Sequence, residues 1–276
     1  MHARTAPAPL NSPASAPPKD GLRPVVLSAV SLFCPAGIGA AGLGAGAPGP
    51  VPGFKPQAWI PDRKGLKLMS RAVQLGVAAV RQALTEDGTV EAYPPLRRAL
   101  FVGASPQTGD PEDLRPALEA AFGPDGFDLD RFATHGIDLI HPLWLVKGLS
   151  NNVLGFASAA HDLQGTNANW CDGEEGGWTA IVEGWDAVAE GRADIAVAGG
   201  ADSLVGAEAL LGAEACGEGA AFLVWRAAAP GEAGVARPTK AGLTEDLRPL
   251  GRLGAATWPV RFGRAHLQGR TAEAQG

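Results

Sequence analysis

The residues best placed to do chemistry lie in one run, Asn169-Trp170-Cys171-Asp172-Gly173-Glu174-Glu175-Gly176-Gly177-Trp178. A short strand, expected over Asn167–Cys171, enters a sharp, acidic, glycine-flanked turn and then a helix expected over Gly176–Glu190. Such a strand–turn–helix elbow projects one side chain from the end of a sheet, beside a helix N-terminus. The dipole there lowers the pKa of a thiol nucleophile and stabilises a carboxylate as an anion. Acidic residues in a first helical turn also occur simply to complement the dipole, so local chemistry leaves both readings open.

Other candidates are weaker. Gly37-Ile38-Gly39-Ala40-Ala41-Gly42 matches G-x-G-x-x-G after the first expected strand. A dinucleotide site needs a helix to open directly behind the glycines. Here LGAGAPGPVPG follows, which forms no stable helix, so the segment reads as a glycine loop and no cofactor is expected. His2, His135, His141, His161 and His266 show no metal-ligand spacing. His135 and His141 bracket an apolar, strand-like stretch and read as structural. Cys34, Cys171 and Cys216 form neither a metal pattern nor a disulfide framework, so no metal is expected and a reducing cytoplasm is the expected setting.

The elements that must position the elbow are legible as a β-α-β-α-β-α-β-β order. Strands are expected at Val25–Val30, Ala99–Val102, Asn167–Cys171, Ile195–Ala198 and Ala220–Trp225. Helices are expected over Leu66–Leu84, closed by Asp87-Gly88, and from an Asp110 cap with Pro111 and Glu112 to about Phe122. Another begins near Ser150. In the last, Trp178, Ile181, Val182, Trp185, Val188 and Ala189 share one stripe, and Gly191 closes it. The order predicts a layered α-β-α domain with a mostly parallel, five-stranded sheet. Residues 1–21 read as a disordered Pro/Ala-rich tail, 22–228 as the folded domain and 229–276 as a linker and extension, the end from about His266 resembling the tail. The 276 residues carry a formal charge of −6, which argues against nucleic acid as partner. No apolar run approaches the roughly 18 residues of a membrane span.

From His141 to Asp202 the sequence resembles the β-ketoacyl synthases of the thiolase superfamily. His141-Pro142, Ser150-Asn151-Asn152, Gly165-Thr166-Asn167 and Ala198-Gly199-Gly200-Ala201 stand where that family has Asn-Pro, Pro-Asn-Met, Gly-Pro-Asn and Ala-Gly-Gly-Ala, at matching separations. Gly217-Glu218-Gly219-Ala220 resembles its later Gly-Glu-Gly-Ala, and Arg63–Leu84 its first helix. The match extends over about residues 23–227 and implies half of a thiolase-like fold. The second half, which brings two active-site histidines, has no counterpart, and the family's long insertion before Gly217 is missing. Gly251-Arg252-Leu253-Gly254-Ala255-Ala256 faintly resembles the family's Gly-His segment, with Arg252 in the histidine's place. Counting seven residues on from Asn167, or 25 back from Gly199, the family's nucleophilic Cys position falls on Glu174. Cys171 lies three residues too early.

A carboxylate does not replace a thiolate in forming a transferable thioester. The resemblance therefore implies no catalytic residue. It is nearest to chain-length factors, non-catalytic ketosynthase-like subunits that usually carry Gln at the elbow, and in its truncated form to the small factor subunits of aryl-polyene-type type II systems. It implies a heterodimer with a catalytic ketosynthase, and an acyl carrier protein as indirect partner. The strand at about Gly165–Asp172 would pair across a dimer axis, and the stretch Phe132–Lys147 would face the partner's pocket. The implied tunnel and interface residues are Phe132, His135, Leu139, Ile140, Leu143, Trp144, Trp170 and Trp178, the two last being equally readable as core. The alternatives are a malonyl carrier-protein decarboxylase, an acyltransferase or hydrolase using an exposed Cys171 with a nearby His, and a stand-alone scaffold.

Overall fold

Alternate residues of the central strands are apolar on both faces, as a sheet covered by helices on two sides requires. The computed structural model describes residues 21–106, 109, 111–212 and 215–273. The tail expected over 1–21, apart from Gly21, and the Asp110 cap fall outside them. The strands are β1 (Val25–Val30), β2 (Phe33–Cys34), β3 (Gly37–Ile38), β4 (Arg98–Gly103), β5 (Asn167–Trp170), β6 (Ile195–Ser203) and β7 (Glu218–Ala227). The main helices are α1 (Arg71–Asp87), α2 (Arg115–Ala121), α3 (Asn152–His161), α4 (Gly173–Ala189) and α5 (Thr257–Glu273).

The strands form one sheet in the order β3-β2-β7-β6-β4-β5, with β1 also paired to β7. Leu100, Val102, Ile195, Val197, Phe222 and Val224 point to the α1 side, where α3 also packs. Phe101, Ala196, Ala198, Leu223 and Trp225 point to the α4 side. Trp225 is 1% exposed, a burial that contributes about 1.5–3 kcal/mol. The layered half-thiolase architecture is the one expected, and its five main strands lie where expected. The sheet is mixed rather than mostly parallel: β5, β4 and β6 run parallel, whereas β7 is antiparallel to β6 and to β1. Among the described residues no long helix separates β6 from β7, and the chain turns back instead of crossing over. β2 and β3 add two short strands that composition did not reveal.

α1 begins at Arg71, later than expected, because Ser70 caps it, accepting from the Val73 amide at 3.5 Å, while Gly65–Leu68 form a separate turn. Gly88, at φ +68°, ends it as expected. Near the expected second helix, Pro111–Asp113 form a separate turn and α2 spans only Arg115–Ala121. The stretch between His135 and His141 is not a strand. It forms tight helical turns, and no neighbouring strand is there to pair with it.

The segment read as linker and extension is structured. α5 runs through His266, with Val260 fully buried and Phe262 edge-on to Trp225 at 6.3 Å between ring centroids. Interleaved arginines masked this apolar side in the sequence. Arg264 is 7% exposed. It pairs with Glu245 at 2.8 Å and donates to the carbonyls of Gly42, Leu43 and Gly44, closing the turn at Gly39–Leu43. Ahead of α5, residues 235–240 form a strap across α4. Trp185 Nε1 donates to the Val235 carbonyl at 3.4 Å, and Arg237 grips Asp186 with two bonds of 2.7 Å. Lys240 pairs with Glu175 and lies 4.4 Å over the Trp258 ring.

At the start of β7, Glu218 is 1% exposed and chelates the Arg71 guanidinium, while also accepting from the Val51 amide at 2.7 Å and the Ser203 hydroxyl at 3.1 Å. Removing one partner of a buried ion pair strands the other charge. Arg71→Ala is expected to cost about 3–5 kcal/mol in urea unfolding, and the double variant Arg71→Ala, Glu218→Met to recover most of it. The Lys240 ammonium, through its hydrogen bond, holds the Glu175 carboxyl below its ordinary range. A depressed folded pKa stabilises at pH above the unfolded carboxylate range, and the contribution is lost as pH falls through the folded value. Lys240→Ala should therefore move the Glu175 titration midpoint, followed by carboxyl carbon NMR, upward.

Candidate functional site

The elbow exists as the spacing predicts. β5 ends at Trp170, whose carbonyl accepts at 2.9 Å from the amide of Ala104, just past the end of the neighbouring strand β4. The chain then turns at Gly173, whose φ of +50° disfavours any residue with a side chain. α4 starts at Gly173, three residues earlier than expected, with the Asp172 carbonyl accepting from the amides of Glu175 and Gly176. Glu174 and Glu175 thus both lie exposed in the first turn. Glu175 is engaged by Lys240 and by Trp258 Nε1 at 3.2 Å.

Glu174 faces a groove of about 530 Å³ whose other wall is C-terminal. Arg252, Leu253, Arg248 and Arg261 line it with Asp246, which pairs with Arg248 at 2.8 Å. The turn behind that wall, Gly254–Ala256, is anchored on the sheet. Asp202, at the end of β6, accepts from the Ala255 amide at 3.1 Å, the Ser203 amide at 3.0 Å and the Ser105 hydroxyl at 2.5 Å. Burial pushes the Asp202 carboxyl up, against the pull of these donors. Glu174 and Arg252, which the sequence resemblance expects at the nucleophile and histidine positions, therefore line one groove. The groove holds charges of both signs, no thiol and no histidine. Its wall residues Arg248 and Arg261 escaped the sequence reading because the segment was read as a linker.

Cys171 is exposed just before the helix, and its sulfur accepts from Asn169 Nδ2 at 3.2 Å. It does not line the groove, and its described contacts bring no histidine to it. Cys34 and Cys216 are buried. The glycine loop at 37–42 directs carbonyls at Arg264, the opposite of a phosphate cradle. Among the described residues no cluster of three His, Cys, Asp or Glu side chains could hold a metal, and no helix is long and apolar enough to cross a membrane.

The remaining named residues sit between β4 and β5. Leu139 and Leu143 are exposed, Phe132, Ile140 and Trp144 are half-buried, and His135 is exposed. Trp144 Nε1 is shut off from solvent without a hydrogen-bond partner among the described residues. His141 Nδ1 accepts from the Leu143 amide at 3.1 Å. Asn152, of the Ser-Asn-Asn motif, holds this region by donating to the Val146 and Lys147 carbonyls at 2.6 and 3.2 Å. Leu145 is 70% exposed, and Val146 and Leu149 are exposed as well. A hairpin at Phe122–Gly123 and Gly126–Phe127 extends this apolar surface, Phe127 lying 5.9 Å from Phe132 between ring centroids. The aromatic-Gly…Gly-aromatic pattern could have signalled that hairpin. Trp170 packs against Phe101 at 6.0 Å and Trp178 against Trp258 at 5.9 Å. Both are half-buried within the chain.

Residues 46–221 match the family described as Beta-ketoacyl synthase, N-terminal domain. No curated protein matches the chain. It is similar to the solved complex of a type II PKS acyl-carrier protein with its ketosynthase bound to the hexaketide, at TM-score 0.59 and 18% identity over 75% of this chain and 63% of that one. It is also similar to the ishigamide ketosynthase/chain length factor, at TM-score 0.58 and 24% identity over 75% and 59%. A third, a beta-ketoacyl synthase from Burkholderia phymatum STM815, gives TM-score 0.57 and 21% identity over 75% and 60%. The chain thus spans about three fifths of the length of the solved chains it matches. The elbow, the β6 glycine strand, the β7 entry and the family match converge, and the chain belongs to the β-ketoacyl synthase family through its N-terminal domain.

Proposed function

We propose that this chain is a non-catalytic, chain-length-factor-like subunit. It pairs with an active β-ketoacyl synthase and helps to shape the acyl tunnel of that partner in type II polyketide or fatty-acid-type biosynthesis. The observation that carries the reading is Glu174 in the first turn of α4, where by resemblance the spacing from Asn167 and Gly199 puts the family's nucleophilic Cys. Condensation needs a nucleophile, a base system and an oxyanion site together. Glu174 supplies no thiolate, and Arg252, always protonated, serves as no base. The exposed apolar side chains at 137–149 fit association with a second subunit, since such surface is costly in water. One of the similar structures is a ketosynthase/chain length factor, the kind of assembly this reading invokes.

The test is native mass spectrometry of the chain co-expressed with a ketosynthase from the same gene cluster. A one-to-one complex is expected, with the lone chain aggregating. Leu139→Glu with Leu145→Glu should abolish the complex, because charges buried in an apolar contact cost several kcal/mol. Glu174→Gln should leave both complex and condensation rate within about twofold, since an exposed surface substitution rarely changes stability by more than about 0.5 kcal/mol. A well-behaved lone chain that ignores the synthase sinks the proposal.

A further inference from the structure

On the opposite side of the sheet from α4, a second groove of about 360 Å³ runs between α1, α3 and the segment at 59–62. Its volume falls at the small end of the roughly 300–1,000 Å³ of ligand sites. Ile60, Met69 and Val77, all buried, form the floor. The half-buried rings of Trp59 and Phe156 form the walls. The rim is different in kind. The Arg81 guanidinium makes no hydrogen bond or ion pair among the described residues, and His161 stands near enough to feel its charge. Burial and that charge push the His161 imidazole below its usual range, leaving Arg81 as the standing cation. Asp62, also on the rim, is already engaged by the Lys64 amide at 2.9 Å.

We propose that this groove binds a small amphipathic monocarboxylate. Its apolar body lies on the floor between Trp59 and Phe156, and its carboxylate pairs with Arg81. Three features of the groove favour this occupant over others. The groove, at about 360 Å³, is too small for a helix or strand of a protein partner. The single cation, with Asp62 close by, suits one negative charge rather than a phosphate. The lining is apolar everywhere below the rim, so a wholly polar anion would leave it unfilled. A guanidinium–carboxylate pair is charge-assisted and geometrically matched, and it gains strength at the mouth of an apolar recess.

Isothermal titration calorimetry of the full chain tests this, with octanoate and with 1-octanol as its neutral counterpart. Saturable one-to-one binding of octanoate is expected. Arg81→Gln should weaken octanoate about tenfold or more and leave octanol unchanged. Ala160→Trp, at an exposed position on the groove wall, should abolish binding of both. Circular dichroism melts matching the parent show that each variant folds. Absence of saturable octanoate binding overturns the proposal, as does binding that survives both substitutions. Equal loss of octanoate and octanol in Arg81→Gln also overturns it, because the arginine would then shape the groove rather than hold an anion.

Discussion

The Ala255 carbonyl oxygen lies so close to the backbone of α4 and of β6 that side chains there are forbidden. A Cβ on Gly177 would stand 2.1 Å from it, and one on Gly200 2.5 Å. A Cβ on Gly103 would in turn meet the Gly177 amide at 2.3 Å. The first turn of α4, the ends of β4 and β6, and the C-terminal turn therefore pack as bare backbone on bare backbone. Packing of this density tolerates no added methyl group without backbone movement. The groove follows from it. Glu174 leaves the helix one turn from Gly177, and Arg252 leaves the chain three residues before Ala255, so the two walls cannot drift apart. Asp202 fixes the same turn through the Ala255 amide, at the cost of a carboxyl buried against its preference.

Next to Asp202 on β6, Ser203 turns its hydroxyl the other way, to Glu218. The two buried carboxylates thus stand on adjacent strands and hold different parts of the chain. Asp202 holds the C-terminal turn. Glu218 holds the N-terminal loop through the Val51 amide, and the start of α1 through Arg71. Both carboxylates have every described donor aimed at them, which is what keeps buried acids from unravelling a core. A chain covering about three fifths of its structural relatives gains from such ties. Its C-terminal segment crosses the whole domain, with Arg264 reaching the Gly42 carbonyl and Arg237 reaching Asp186.

The main strands and the elbow were legible because the signals are local. VVLSAV, ALFV and AAFLVW are apolar runs bounded by turn residues, and the counts from Asn167 and Gly199 place Glu174 whichever way the helix begins. Strand direction was not legible. Whether β7 runs with or against β6 depends on the missing crossover helix, not on the composition of either strand. α5 was hidden for a different reason. In Thr257–Glu273 arginines at 261, 264 and 270 interrupt the apolar spacing of Trp258, Val260, Phe262 and Leu267, and Arg264 is itself buried, satisfied by carbonyls far away in sequence. No periodicity count anticipates a buried arginine whose partners lie in another segment. The groove facing Glu174 went unseen with it, since most of its wall comes from residues 246–261, in the segment read as linker and extension.

Where the chain spends its apolar surface also separates two tasks. The α4 face is closed by the strap and α5, with Trp178 tilted against Trp258 and Lys240 above both rings. The α1 face covers its core and carries the small groove at Arg81. Most of the large apolar side chains that stay exposed fall between Leu118 and Leu149, in the excursion linking β4 to β5. β5 is the edge of the sheet on that side, and it reads Asn-Ala-Asn-Trp rather than as an apolar strand. A polar edge resists promiscuous pairing while leaving its backbone groups open to a specific one. Association driven by the excursion and aligned by that edge would leave the groove between Glu174 and Arg252 untouched. The exposed apolar surface and the groove at the elbow are thus built from separate parts of the chain, so a change in one need not disturb the other.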